Sequence, residues 1–213
     1  MIAYKFLSSG ALGPFSRYAW PLPRRGQPGA WVIAGGKTTM CRTAVHGCRV
    51  ADLPWWLQDE LWEAEFDGSI ATGRHKISAP RARLLRRVEG WDGACAQRFA
   101  DACAWRARDH AVAALERAGD AAIAARIASA GELRDLPRLA HELRAHRHAA
   151  GPADMAADAA RRARGGFAVV AAYIAAHAAS RTGGAGANAA ERAWQADWLR
   201  GELGLCDEFA SGP

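Results

Sequence analysis

The hydrophobic and polar positions of this chain follow two rhythms. From Leu61 to Asp67 they alternate strictly, with Trp62, Ala64 and Phe66 on one side and Glu63, Glu65 and Asp67 on the other. A period of two is that of a half-buried strand. Ile2–Leu7, residues 31–34, Ile70–Ser78 and Arg81–Val88 read as further strands. In the last of these, Ala82, Leu84 and Val88 share one face and Arg81, Arg83 and Arg87 the other. Pairing it with the strand before it would set arginines against carboxylates, which stabilises a sheet by about 0.2–1 kcal/mol per pair. Residues 8–30 are broken by glycine and proline and read as loop. Residues 50–60 predict one short helix, with Asp52 as its N-cap and Pro54 just inside.

After Trp91 the rhythm changes. Alanine, the best helix former, makes up about a third of the remaining residues. A long helix is expected from about Gly93 to Ala118, a restart after Gly119-Asp120, and another helix bearing Leu133, Leu136, Leu139 and Leu143. Gly151-Pro152 reads as a break, and Asp154–Ser180 as one long helix bent at Gly165-Gly166. Residues 182–186 read as a flexible link. Asn188 with Glu191 reads as the capping box of a last helix docked by Trp194, Trp198 and Leu205, and the last eight residues are expected to fray. The fold class expected is therefore α+β: a small mixed or antiparallel-sheet domain over residues 1–90, then an Ala-rich helical bundle over residues 91–213.

Composition sharpens this picture in two places. The net charge of +6 lies wholly in residues 1–90, which carry 13 Lys/Arg against 7 Asp/Glu, while the rest balances at 15 against 15. A basic first part attracts anionic or phosphate-bearing partners, although spare surface arginines would give the same count. No apolar run reaches the roughly 18 residues of a membrane span. Lys5 interrupts the initial apolar run, so no secretory leader is expected. Five cysteines at irregular spacing fit a reduced, cytoplasmic protein, and the Ala/Arg vocabulary fits a GC-rich bacterial genome.

The candidate chemistry centres on CRTAVHGC, residues 41–48. Cys41, His46 and Cys48 could be three zinc ligands, but their spacing matches no common zinc motif and there is no CxxC pair, so no metal is expected. Cys48 and His46 point the same way on an extended segment and could form a nucleophile–base pair. His46 could instead line an aromatic pocket with Trp20 and one of Trp55 and Trp56, an apolar cavity with one polar group. The plainest alternative is a packed turn with buried thiols. Further along, Tyr173 and His177 read as a buried hydrogen-bonded pair, Cys95 and Cys103 as core filler, and His146 and His148 as charges at a helix C-terminus.

Three resemblances add to this reading. Tyr4-Lys5-Phe6, Trp20, Cys41-x4-His46-x-Cys48, Glu63-x-Glu65-x-x-Gly68, a lysine at 76 and the arginine-bearing strand resemble an uncharacterised N-terminal domain of phage-associated and bacterial proteins, with Ala44 where that pattern has glycine. That resemblance implies no activity. Residues 43–65 are similar in layout to ADP-ribosyltransferase-like folds, without an evident late-strand catalytic glutamate. This implies a first-strand residue, Tyr4, facing a ligand. Residues 189–195 resemble the final helix of helical bacterial toxin-immunity proteins.

The function expected is that of a binding or regulatory protein with an aromatic pocket around His46. Its ligand set is Tyr4, Trp20, His46, Trp55, Trp56, Lys76 and Arg81, taking a small molecule or nucleotide. The alternative is an enzyme on a nucleotide-type substrate, with His46 as acid/base and Lys76 or Arg81 holding phosphate. An immunity-type role, with a protein partner on the helical half, is the third. No cofactor, membrane or nucleic-acid partner is expected.

Overall fold

The computed structural model describes residues 1–35, 43–143 and 145–206, and of residues 147–149 the backbone only. Two compact units result, Met1–Asp92 together with Ala196–Pro213, and Gly93–Gln195. The first break lies two residues past the expected boundary, and the chain from Ala196 groups with the first unit rather than with the helices before it.

Among the described residues the first unit holds seven strands: β1 Ile2–Leu7, β2 Val32–Ile33, β3 Val45–Gly47, β4 Glu60–Asp67, β5 Ala71–Thr72, β6 Ile77–Ala79 and β7 Arg81–Arg87. Every pairing is antiparallel, in a four-stranded sheet β1-β4-β7-β2 and a three-stranded sheet β3-β6-β5. The alternation in β4 does what it predicts. Trp62, Ala64 and Phe66 join Ala3, Leu7, Ile77, Ala82 and Leu84 in one buried cluster.

The opposite face of β4 carries the charge ladder. Asp67 opposes Arg81 and Glu65 opposes Arg83. The third rung is Arg86 against Glu63, not Arg87, because the register shifts between Glu63 and Ala64. The bulge adds one residue to β7's side and turns Arg86 onto the ladder. Trp31 lies under both Arg81 and Arg83, 4.7 and 4.5 Å from the guanidinium carbons. Arg81 is therefore occupied by Asp67 and Trp31 and does not stand open for phosphate.

Three local expectations change in this unit. Residues 50–60 do not form one helix. A 3-10 helix spans Val50–Trp55 and the chain enters β4 at Glu60. Asp52 is its third residue rather than its cap, and it accepts from the Arg49 backbone N–H at 3.3 Å and from Arg49 Nε at 2.7 Å. Ile70–Ser78 is not one strand but two short ones, β5 and β6, paired as a hairpin.

The second unit is helical: α1 Gly93–Arg117, α2 Ala121–Ala128, α3 Asp135–Glu142, α4 Arg147–Arg164 and most of α5 Ala168–Leu203. Its core is leucine, isoleucine and alanine from α1 to α4, including Leu115, Ile127, Leu136 and Leu143. Pro152 breaks nothing. It is the sixth residue of α4, and the helix runs on through it to Arg164 with one backbone hydrogen bond forgone. The expected bend at Gly165-Gly166 is a full stop, since Gly166 takes φ +74°, the left-handed conformation that ends helices. The expected link at 182–186 is a kink inside α5, where Gly183 and Gly184 leave helical geometry. Asn188 caps nothing, and its amide donates to the Ala176 carbonyl at 2.7 Å. Tyr173 and His177 stack at 6.2 Å on an exposed face instead of pairing in the core. Cys95 and Cys103 are fully buried. His146 is the N-cap of α4, so the dipole of that helix does not favour its charge, and the His148 side chain lies outside the described residues. Of the last eight residues, only Cys206 is described, and it is exposed. No helix among the described residues is long and apolar enough to cross a membrane.

Candidate functional site

A cavity of about 500 Å³ lies within the first unit. β1, β3 and the loop after β1 supply most of its lining, and Val32, Trp56 and Lys76 complete it. β1 meets β3 through a backbone bridge in which the Tyr4 N–H donates to the Cys48 carbonyl at 2.9 Å and the Cys48 N–H to the Tyr4 carbonyl at 2.8 Å. This sets Lys5 beside His46, and Lys5 Nζ donates to the His46 carbonyl at 2.6 Å. The same ammonium sits 4.7 Å from the centre of the Trp20 ring.

Trp20 is brought there by carboxylates at the start of β4. Asp59 accepts from the Ser9 N–H and hydroxyl, both at 2.8 Å. Buried Glu60 accepts from the N–H groups of Gly10 and Ala11 and from Trp62 Nε1. These bonds hold a turn with positive φ at Gly10 and Ala11, and the Ala11 carbonyl then receives the Trp20 N–H at 3.0 Å. The segment Gly13–Tyr18 forms another part of the lining, with Phe15 85 % exposed.

Of the expected ligand set, the cavity brings together Trp20, His46, Trp56 and Lys76. Lys76 lies 5.7 Å from the Trp56 ring centre. Tyr4, Trp55 and Arg81 lie outside the lining. Tyr4 projects from the other face of β1, where its hydroxyl reaches the Cys206 carbonyl at 3.4 Å. Burial first, then Glu63 and Cys206, push its pKa up to about 12. Trp55 is stacked on His75 at 3.9 Å. Arg81 is on the charge ladder.

Burial and then the charges of Lys76 and Lys5 lower the His46 pKa from its usual 6.5, so the ring is neutral at pH 7. Cys48 is buried, its thiol is pushed up to about 12 mainly by that burial, and its sulfur faces the Tyr4 carbonyl at 3.4 Å. A protonated thiol at neutral pH is a packing group rather than a nucleophile. Cys41 lies outside the described residues. Among the described residues, no group of three His, Cys, Asp or Glu side chains is placed to hold a metal ion.

The residue that sequence reasoning left out is Lys5. It lies on the face of β1 that carries Ala3 and Leu7, both buried, so a cation stands where the alternation calls for an apolar side chain. That misplaced charge was the available signal. Burial lowers the Lys5 pKa to about 8, offset in part by Cys48. Each of the seven carboxylates of residues 1–90 is engaged elsewhere. Asp52, Glu63, Glu65, Asp67 and Glu89 face arginines, and Asp59 and Glu60 hold the turn at Ser9–Ala11. Among the described residues none pairs with Lys5. Comparison of the chain with protein-family models, curated proteins and solved structures finds no match.

Proposed function

We propose that the first unit is a binding module for a small anionic molecule with a flat apolar body. The observation that carries this is Lys5, a half-buried ammonium opening on a cavity, with no carboxylate paired to it among the described residues. A desolvated cation is unfavourable unless an anion joins it. Lys76 adds a second positive charge to the lining, and Trp20 and Trp56 supply aromatic faces for the body of the ligand. The neutral His46 ring offers one donor and one acceptor for orientation. Small-molecule sites have this build, with mostly apolar walls and a few convergent polar groups.

Calorimetric titration tests the reading at pH 7. The probes are benzoate and AMP, each against its uncharged counterpart, benzamide and adenosine. The two anions separate a carboxylate head from a phosphate one. The expected result is that at least one anion binds about tenfold or more tightly than its counterpart. Its affinity should then fall as pH rises through about 8, where the Lys5 ammonium loses its proton. Equal affinity for charged and uncharged forms, or no binding of either anion at millimolar concentration, overturns the reading.

A further inference from the structure

We infer that Lys5 is a carbonyl-reactive amine, and that the cavity takes an aldehyde or ketone bearing an acidic group and joins it to Lys5 Nζ as an imine. The inference rests on the anion-binding reading above and names the chemistry at the same site.

Residue choice is the first support. The chain uses arginine 25 times and lysine three times. Two of those three lysines, Lys5 and Lys76, line this one cavity, and the third, Lys37, lies outside the described residues. A guanidinium holds an anion at least as well as an ammonium, but it does not shed its proton and forms no imine. A chain that elsewhere prefers arginine so strongly, yet places lysine here, has a use for an amine. Geometry is the second support. Lys5 Nζ is fixed between the Trp20 ring and the His46 carbonyl, at the cavity wall rather than on a solvated surface. A lysine desolvated in a largely apolar pocket is the recognised setting of a nucleophilic amine. With its pKa at about 8, a useful fraction of Lys5 is neutral at pH 7.

The step balances without an oxidant or reductant. The Nζ lone pair attacks the carbonyl carbon and a C–N bond forms. The carbonyl oxygen takes the displaced electron pair and a proton, giving a carbinolamine. Loss of a further N–H proton and departure of the oxygen as water leave the imine. His46 lines the same cavity and is neutral, so its ring is placed to carry these protons. Lys76 holds the acidic group of the ligand while Lys5 reacts.

The test uses the full chain with 4-formylbenzoate and cyanoborohydride, which fixes an imine as a stable secondary amine, followed by peptide mass mapping. The wild type alone is informative because Lys37, Lys76 and the α-amine serve as internal references. The expected result is labelling of Lys5 about tenfold or more above each reference, suppressed by benzoate, which has the acid but no carbonyl. Label spread evenly over the lysines and the α-amine overturns the inference. Benzoate binding by calorimetry without selective Lys5 labelling overturns it while leaving the anion-binding reading intact. Selective labelling that benzoate does not suppress supports the amine chemistry and removes its link to that reading.

Discussion

Lys5 and Glu191 are two desolvated charges in different surroundings: among the described residues no carboxylate pairs with Lys5, whereas Glu191 accepts hydrogen bonds from three side chains. Lys5 has its pKa lowered by burial from 10.5 to about 8. Between these two values the unfolded chain holds a proton that the native state has released, so native stability should rise with pH across that window. Below pH 8 the full desolvation cost is present. Lys5→Met keeps the apolar stem and removes the charge. It should raise stability at pH 7 by on the order of 1 kcal/mol, and the gain should shrink from pH 8 to 10.5. Urea melts at pH 7 and 10.5 measure this. A variant less stable than wild type at pH 7 would mean that Lys5 is held by more than it loses. Glu191, in the helical unit, is the contrasting case. Burial alone would raise its pKa, but hydrogen bonds from His110 and Arg106, at 2.9 and 2.6 Å, bring it below its ordinary value. Gln195 adds a further donor at 3.2 Å. Because the native pKa is the lower one, this stabilisation is present above about pH 4.5 and lost as pH falls below it. Glu191→Ala should cost about 3 kcal/mol at pH 7 by stranding the Arg106 guanidinium, and the difference should narrow in acid. Equal losses at pH 7 and pH 3 would contradict the charge account.

The elements explain why part of the site was legible in the sequence and part was not. Strict alternation marked β4, and its charged face implied the arginine ladder. What alternation could not show was the bulge at Glu63/Ala64 that replaces Arg87 by Arg86. Trp20, His46 and Trp56 could be grouped from proximity along the chain. Lys5 could not, because its approach to His46 depends on a bridge between β1 and β3 across more than forty residues. Tyr4 and Trp55 lie outside the cavity lining for local reasons: the first projects from the other face of its strand, and the second stacks on His75. In the helical half, glycine and proline mark irregular points without fixing their outcome: α4 runs through Pro152, whereas the positive φ of Gly166 follows its end. The motif CRTAVHGC also contains a glycine whose purpose only packing shows. A Cβ on Gly47 would lie 2.2 Å from Phe66 Cζ. Gly47→Ala should therefore cost about 1–3 kcal/mol, and Phe66→Leu added to it should recover part of that loss. Full stability of the single variant would show that β3 moves away from the ring without penalty.

Across the chain, charge and backbone continuity divide the labour. The excess positive charge belongs to the first 90 residues, where carboxylates are spent on arginines and a turn, and none described reaches Lys5. Residues 91–213 balance in charge, and the weak point of the helical unit is the kink at Gly183-Gly184, beside exposed Arg181. Among the bonds of the described residues, trypsin should cut first after Arg181. It should spare Arg83 and Arg86, whose backbone is paired within the sheet. An early cut inside β7 would contradict the sheet assignment.

The central claim is that Lys5 is a desolvated amine waiting for an anion, and lysine side-chain NMR reaches it most directly. With only three lysines, protein labelled with 13C-lysine gives three Cε resonances, and Lys5→Met assigns the one of interest. The expected result is a Lys5 resonance that titrates near pH 8 in the unliganded protein and moves to a higher pKa when benzoate fills the cavity. A Lys5 that titrates near the ordinary 10.5 and does not respond to the anion would contradict the account.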